Sequence, residues 1–129
     1  MVKFGYTIAY VDDVLASVEF FERAFGMNRK FIDDSGDYGE LDTGTTTLAF
    51  AKHSLGAANL PDGYINGTTS ELPLGIEVAL ISDDVAATHQ AALAEGAQEI
   101  KAPQQKPWGQ IVSYVRTPAG ILLEIGSEM

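Results

Sequence analysis

At 129 residues the chain is long enough to bury one core and too short for two independent ones, so one domain over residues 1–129 is expected. Its 18 acidic and 8 basic side chains leave a formal charge of −10, a field that repels phosphate backbones and anionic lipid headgroups and so excludes nucleic acid and membrane surface as expected partners. The absence of cysteine rules out a disulfide framework, a thiolate nucleophile and a cysteine metal site, and fits a cytoplasmic protein.

The apolar stretch at the N-terminus is broken by Asp12 and Asp13, too early for a signal-peptide core or a spanning helix, so a soluble, unprocessed protein is expected. Ile8 to Val11 read as a strand. Val14, Val18, Phe21 and Phe25 then recur at helical spacing, with Asp12 or Asp13 as N-cap and Gly26 as the stop. Strands are predicted at Arg29–Ile32, Tyr38–Asp42 and Thr46–Ala51, separated by Asp-Asp-Ser-Gly and Asp-Thr-Gly turns. The acids Asp33, Asp34, Asp37, Glu40 and Asp42 in this region read as a solvated hairpin edge.

The stretch 53–73, rich in glycine, proline and polar residues, reads as a linker between module 1 (about 1–52) and module 2 (about 74–129), and a connection of this length is expected to form a rim or cross to a partner subunit. Module 2 repeats module 1. Ala79 to Val85 line up with Ile8 to Val14 at a shift of 71 residues, each copy a strand running into Asp-Asp-Val. An alanine-rich helix follows Asp83 or Asp84, with Val85, Ala92 and Leu93 on one face and Gly96 at its end. Strands are predicted at Gln98–Lys101, Ile111–Arg116 and Ile121–Ile125, the last two joined by the turn Thr117-Pro118-Ala119-Gly120. Each module therefore reads β-α-β-β-β, an α+β fold.

Val11-Asp12-Asp13 followed by Ser17, Phe20-Phe21 and Phe25-Gly26 resembles the opening of vicinal oxygen chelate proteins. Lys106-Pro107-Trp108-Gly109-Gln110, Tyr114 to Gly120 and Leu122-Leu123-Glu124-Ile125 resemble their closing stretch. The chain is thus similar to the glyoxalase/bleomycin-resistance/dioxygenase superfamily, and most similar to its metal-free, bleomycin-resistance-like members. The resemblance implies paired βαβββ modules forming a curved mixed sheet around a cleft, and a homodimer. Thr117 and Ile121 depart from the usual pattern, so a locally different closing hairpin is expected.

The resemblance also implies where metal-dependent relatives carry their ligands: Tyr6 and Glu77 on the first strand of each module, about Thr47 on the fourth strand of the first, and Glu124 near the end. Two carboxylates without a histidine suit nickel, zinc or iron poorly, and magnesium or calcium would want more oxygens, so no metal and no cofactor are expected. His89 is expected in the core and His53 in an exposed loop. Glu77 and Glu124 as a paired acid and base would need shifted pKa values and close approach.

Alternation places Tyr6, Ile8 and Tyr10 on the face of the first strand away from the helix, Thr47, Ala49 and Ala51 on that of the fourth, and Glu77, Ala79 and Ile81 on that of the module-two strand. With Trp108 at the mouth and Glu124 in the wall, the expected ligand site is Tyr6, Ile8, Tyr10, Thr47, Ala49, Glu77, Ala79, Trp108 and Glu124. Aromatic faces, apolar walls and few charges suit a flat or bulky organic ligand, cationic included. The leading expectation is a small-molecule-binding protein that sequesters its ligand without metal. The alternative is a metal-dependent glyoxalase-like lyase or isomerase or an extradiol-type dioxygenase, and a metabolite-sensing regulatory module ranks last.

Overall fold

A computed structural model of the protein describes all residues, 1–129. The first helix, α1 (Val14–Phe25), begins where Asp13 stays extended and its carboxylate accepts the Ala16 N–H at 2.9 Å, and ends where Gly26 turns left-handed at φ 66° and donates to the Glu22 carbonyl. Asp13, not Asp12, is the cap. Asp84 does the same for α3 (Val85–Ala94), accepting from Ala87 N–H at 3.1 Å.

The chain divides into a unit of residues Met1–Asn66 and a unit of residues Gly67–Met129. In unit 1, strands β1 (Tyr6–Val11), β2 (Asn28–Ile32), β3 (Tyr38–Asp42) and β4 (Thr47–Lys52) form one sheet in the order β1-β4-β3-β2. β1 and β4 are parallel and the other pairs antiparallel. Unit 2 repeats the arrangement with β5 (Glu77–Ile81), β6 (Gln98–Gln105), β7 (Ile111–Arg116) and β8 (Leu122–Gly126) in the order β5-β8-β7-β6. Both units are β-α-β-β-β, the α+β architecture read from the sequence. No helix is long and apolar enough to cross a membrane.

In each unit one face of the sheet is covered by the helix. Phe21 of α1 is fully buried and its ring meets Phe50 of β4 at 5.5 Å between centroids, with Phe20 and Phe25 at similar distances. The buried face of α3 is Val85, His89 and Ala92; Leu93, expected there, is only partly covered. Both imidazole nitrogens of His89 are engaged, Nδ1 with Ser113 Oγ of β7 at 2.9 Å and Nε2 with Glu99 Oε2 of β6 at 2.7 Å. A buried ring with both nitrogens bonded incurs no unpaired desolvation penalty. His89→Ala is expected to destabilise the protein by about 2–4 kcal/mol, through the cavity and the stranded Ser113 hydroxyl, as measured by urea unfolding.

Two stretches differ from their sequence reading. β6 extends to Gln105 instead of ending at Lys101, because Pro103 sits on an edge strand, where its missing N–H breaks no ladder, and the register shifts twice along the strand. The stretch 53–73 has structure of its own. It opens with a short helix, α2 (His53–Asn59), and its residues to Asn66 belong to unit 1. From Gly67 it is fastened to unit 2: the Arg116 guanidinium donates to the carbonyls of Gly67, Ser70 and Glu71 at 2.7, 2.9 and 3.2 Å, and the Thr68 hydroxyl donates to the Ala119 carbonyl at 2.7 Å.

Candidate functional site

The sheet face away from the helix in each unit carries the residues singled out in the sequence. In unit 1 the parallel pairing sets Tyr6 beside Thr47, Ile8 beside Ala49 and Tyr10 beside Ala51. Val11, on the other face, is fully buried, whereas Tyr6 and Ile8 are 54% and 42% exposed. The antiparallel pairing adds Tyr38 beside Ala51 and Glu40 beside Ala49, and β2 contributes Phe31 opposite Glu40. Phe31 and Tyr38 meet at 6.0 Å between ring centroids.

The unit 1 face is therefore aromatic, with one carboxylate in it. The Tyr38 hydroxyl donates to Glu40 Oε2 at 2.7 Å, and Lys30 Nζ lies 3.6 Å from Oε1. Burial, and then this bond to Glu40, push the Tyr38 phenol well above its usual range, so it remains a donor. Ala49 and Ala51, expected to leave room for a ligand, are buried at 0% and 4% exposure; a methyl group is shorter than its neighbours Ile8, Tyr10, Tyr38 and Glu40, so these positions form a floor and not a contact surface.

In unit 2 the face away from α3 carries Glu77, Ala79 and Ile81 from β5, set beside Leu122, Glu124 and Gly126 of β8, with Tyr114 of β7 opposite Glu124. Tyr114 donates to Glu124 Oε1 at 3.0 Å. Burial, and then the neighbouring Glu124 charge, raise the Glu77 carboxyl above its ordinary value. Its proton is thus bound more tightly in the folded state, so its contribution to stability is present below the unfolded-state pKa and is lost as pH rises through the folded one. Glu124→Gln is expected to lower the Glu77 pKa toward the ordinary carboxylate value, as read by carboxyl carbon NMR titration.

The register corrects one position. Glu77 is the repeat of Tyr6, and Glu124 lies beside Ala79, which is the repeat of Ile8. The residue beside Ile8 is Ala49, so the module 1 counterpart of Glu124 is Ala49 and not Thr47. Neither the phenol and methyl group of unit 1 nor the two carboxylates of unit 2, one already bonded to Tyr114, fit the nitrogen and oxygen shell of a transition metal. Within either unit no group of three or more His, Asp or Glu side chains is placed to hold an ion.

Trp108 stands in the turn between β6 and β7, 64% exposed, its indole N–H donating to Gln110 Oε1 at 3.0 Å, while Gln110 Nε2 donates to the Ser127 carbonyl at 2.8 Å. His53 is not an exposed loop residue. It is the first residue of α2, half-buried, because β4 runs straight into that helix. A depression of about 380 Å³ in unit 2 lies by the start of α3, between Asp83 to Ala86 and Pro103 to Gln105, on the helix side of the sheet. Tyr38, Glu40, Phe31 and Tyr114 escaped the sequence reading. Tyr38 and Glu40 alternate on β3 as Tyr6 and Ile8 do on β1, a signal hidden by the surrounding acids.

The model of the Glyoxalase/Bleomycin resistance protein/Dioxygenase superfamily matches residues 3–125. Among solved structures, a glyoxalase-related enzyme from Fulvimarina pelagi is similar at 18% identity and a TM-score of 0.84, over 99% of this chain and 89% of that one. A glyoxalase/bleomycin resistance protein/dioxygenase family enzyme from Burkholderia phytofirmans PsJN is similar at 19% identity and a TM-score of 0.79, over 99% and 100%. A bleomycin resistance determinant encoded on the transposon Tn5 is similar at 21% identity and a TM-score of 0.64, over 98% of each chain. At these identities the structural likeness speaks for the fold. Among curated proteins no match was found. With a family model spanning nearly the whole chain and a doubled β-α-β-β-β architecture that agrees with it, the chain belongs to the glyoxalase/bleomycin resistance protein/dioxygenase superfamily.

Proposed function

We propose that the protein binds and sequesters a small organic ligand of aromatic, cationic character, that it does so without a metal, and that it works as a cytoplasmic homodimer. The observation that carries this reading is the open face of unit 1, where Tyr6, Tyr10, Tyr38 and Phe31 surround a floor of alanines with the Glu40 carboxylate among them. Ring faces attract a cation by about 0.5–2 kcal/mol each, depending on desolvation, and a carboxylate adds a charge-assisted partner. The unit 2 face offers the same pairing of elements in Tyr114, Glu124 and Glu77. Exposed apolar side chains on and beside these faces, Ile8 at 42%, Ile76 at 75% and Ile81 at 60%, favour a second copy as their cover; light scattering is expected to give twice the 13.8 kDa chain mass.

The test is a fluorescence titration with proflavine, a planar cationic acridine. Saturable binding is expected, weakened about tenfold or more in Tyr6→Ala and in Glu40→Gln, the loss of one ring contact or one charge-assisted bond. Binding that does not saturate, or that both variants leave unchanged, would overturn the reading.

A further inference from the structure

Strand pairing makes Tyr10, Ala51 and Tyr38 the last row of the unit 1 face. Beyond it, Val11 lies beside Lys52, so the next residues, Asp12 and His53, emerge side by side, with His53 Nε2 at 3.6 Å from Asp12 Oδ1. There β4 gives way to α2, and the chain returns through residues 60–64. This return lays the Tyr64 ring against Tyr10, with centroids 5.0 Å apart, and nearly parallel on His53, at 5.8 Å.

The ring is clamped there. The Tyr64 hydroxyl and His53 Nδ1 are hydrogen-bonded at 2.5 Å, and Gly56 of α2 packs so closely that a Cβ on it would stand 2.5 Å from the hydroxyl oxygen and 2.8 Å from the ring carbon Cε1. Burial, with Tyr10 and Asp12 adding to it, holds the Tyr64 phenol above its usual range, so the hydroxyl stays neutral and bonded. Asn59, the last residue of α2, donates from Nδ2 to the Tyr10 hydroxyl at 3.4 Å. Exposure along β1 follows: Tyr6 and Ile8 are exposed, whereas Tyr10, which shares their face, is half-buried.

We propose that Tyr64, clamped by His53 and Gly56, is the end wall of the unit 1 face and makes that face selective for compact planar cations over elongated ones. This rests on the reading of the face as a ligand site and adds a limit of size to it. The run from Tyr6 to Tyr10 is about 13 Å long at the rise of a strand. A compact planar cation stays within it. An elongated one meets the Tyr64 ring, or leaves its far end in water, where its extra surface gains nothing. Selectivity of this kind comes from the obstacle as much as from the contacts.

The test compares proflavine with thioflavin T, an elongated planar cation, by fluorescence titration of both dyes. The preference for proflavine is expected to fall about tenfold in Tyr64→Ala, which removes the wall, and to stay within about twofold of native in Tyr64→Phe, which keeps the ring. Gly56→Ala should lower the preference as Tyr64→Ala does, although residue 56 is not on the face and alanine is the better helix former, because the added methyl group displaces the Tyr64 ring. A ratio of two affinities is unmoved by a smaller folded fraction, which weakens both dyes alike. If proflavine binds saturably but the preference is the same in Tyr64→Ala as in the native protein, or thioflavin T binds neither, the end wall is refuted while the ligand face stands. If proflavine does not bind the native protein, the end wall and the reading it rests on both fail.

Discussion

Phe21→Ala is expected to destabilise the protein by about 3–5 kcal/mol, the range for removing a fully buried aromatic ring. Phe21 has no exposed surface and meets Phe20, Phe25 and Phe50 at 5.5–5.6 Å between centroids, so the truncation opens a cavity between α1 and the sheet that these stiff neighbours cannot close. Against a total of about 5–15 kcal/mol for a typical domain, such a loss leaves little stability at physiological temperature. Urea unfolding should show a lower midpoint with an unchanged slope. A loss under about 1 kcal/mol would mean that α1 is not held by this aromatic cluster.

Gly120→Ala is the second substitution with a large expected effect. Gly120 closes the Thr117-Pro118-Ala119-Gly120 turn at φ 95°, where its N–H donates to the Thr117 carbonyl at 2.8 Å. A side chain in that conformation costs on the order of 1–2 kcal/mol by itself. Here the added Cβ would also run into the Gly67 carbonyl oxygen and stand 2.8 Å from the Thr68 Cα, contacts that require the backbone to move. The segment it would push away is the one fastened by Arg116 and by the Thr68 hydroxyl. A total of about 3 kcal/mol or more is expected, with faster amide exchange concentrated at residues 67–71. An ordinary loop glycine would give a few tenths of that and no local change in exchange.

The fold was legible because each module announces itself three times: by a strand, by a helix capped by aspartate, and by the repeat of both after 71 residues. Those signals are local, and the structure keeps them. The longer β6 and the helix α2 were not legible, since Pro103 and Gly56 read as breaks until an edge position and a neighbouring Tyr64 ring account for them. The candidate site was legible along each strand and not across strands. Alternation gave the face carrying Tyr6, Ile8 and Tyr10. Pairing register, which turns and bulges set, decides that Ala49 and not Thr47 answers to Glu124, and that Tyr114 bonds to Glu124. His53 shows the same limit, because its neighbour Asp12 is 41 positions away in sequence and adjacent only through the parallel pairing of two strands.

The donor set bears on chemistry most directly at Glu124, the carboxylate whose module 1 counterpart is a methyl group. The decisive measurement is a calorimetric titration of metal-stripped protein with nickel, zinc, manganese and ferrous ions, repeated on Glu124→Ala. No stoichiometric heat is expected with any ion for either protein, because neither Tyr6 and Ala49 in unit 1 nor Glu77 and Glu124 in unit 2 offer an imidazole to complete a shell. One-to-one binding to the native protein that disappears in Glu124→Ala would contradict metal-free ligand binding and require the protein to be treated as a metalloenzyme with an unusual shell.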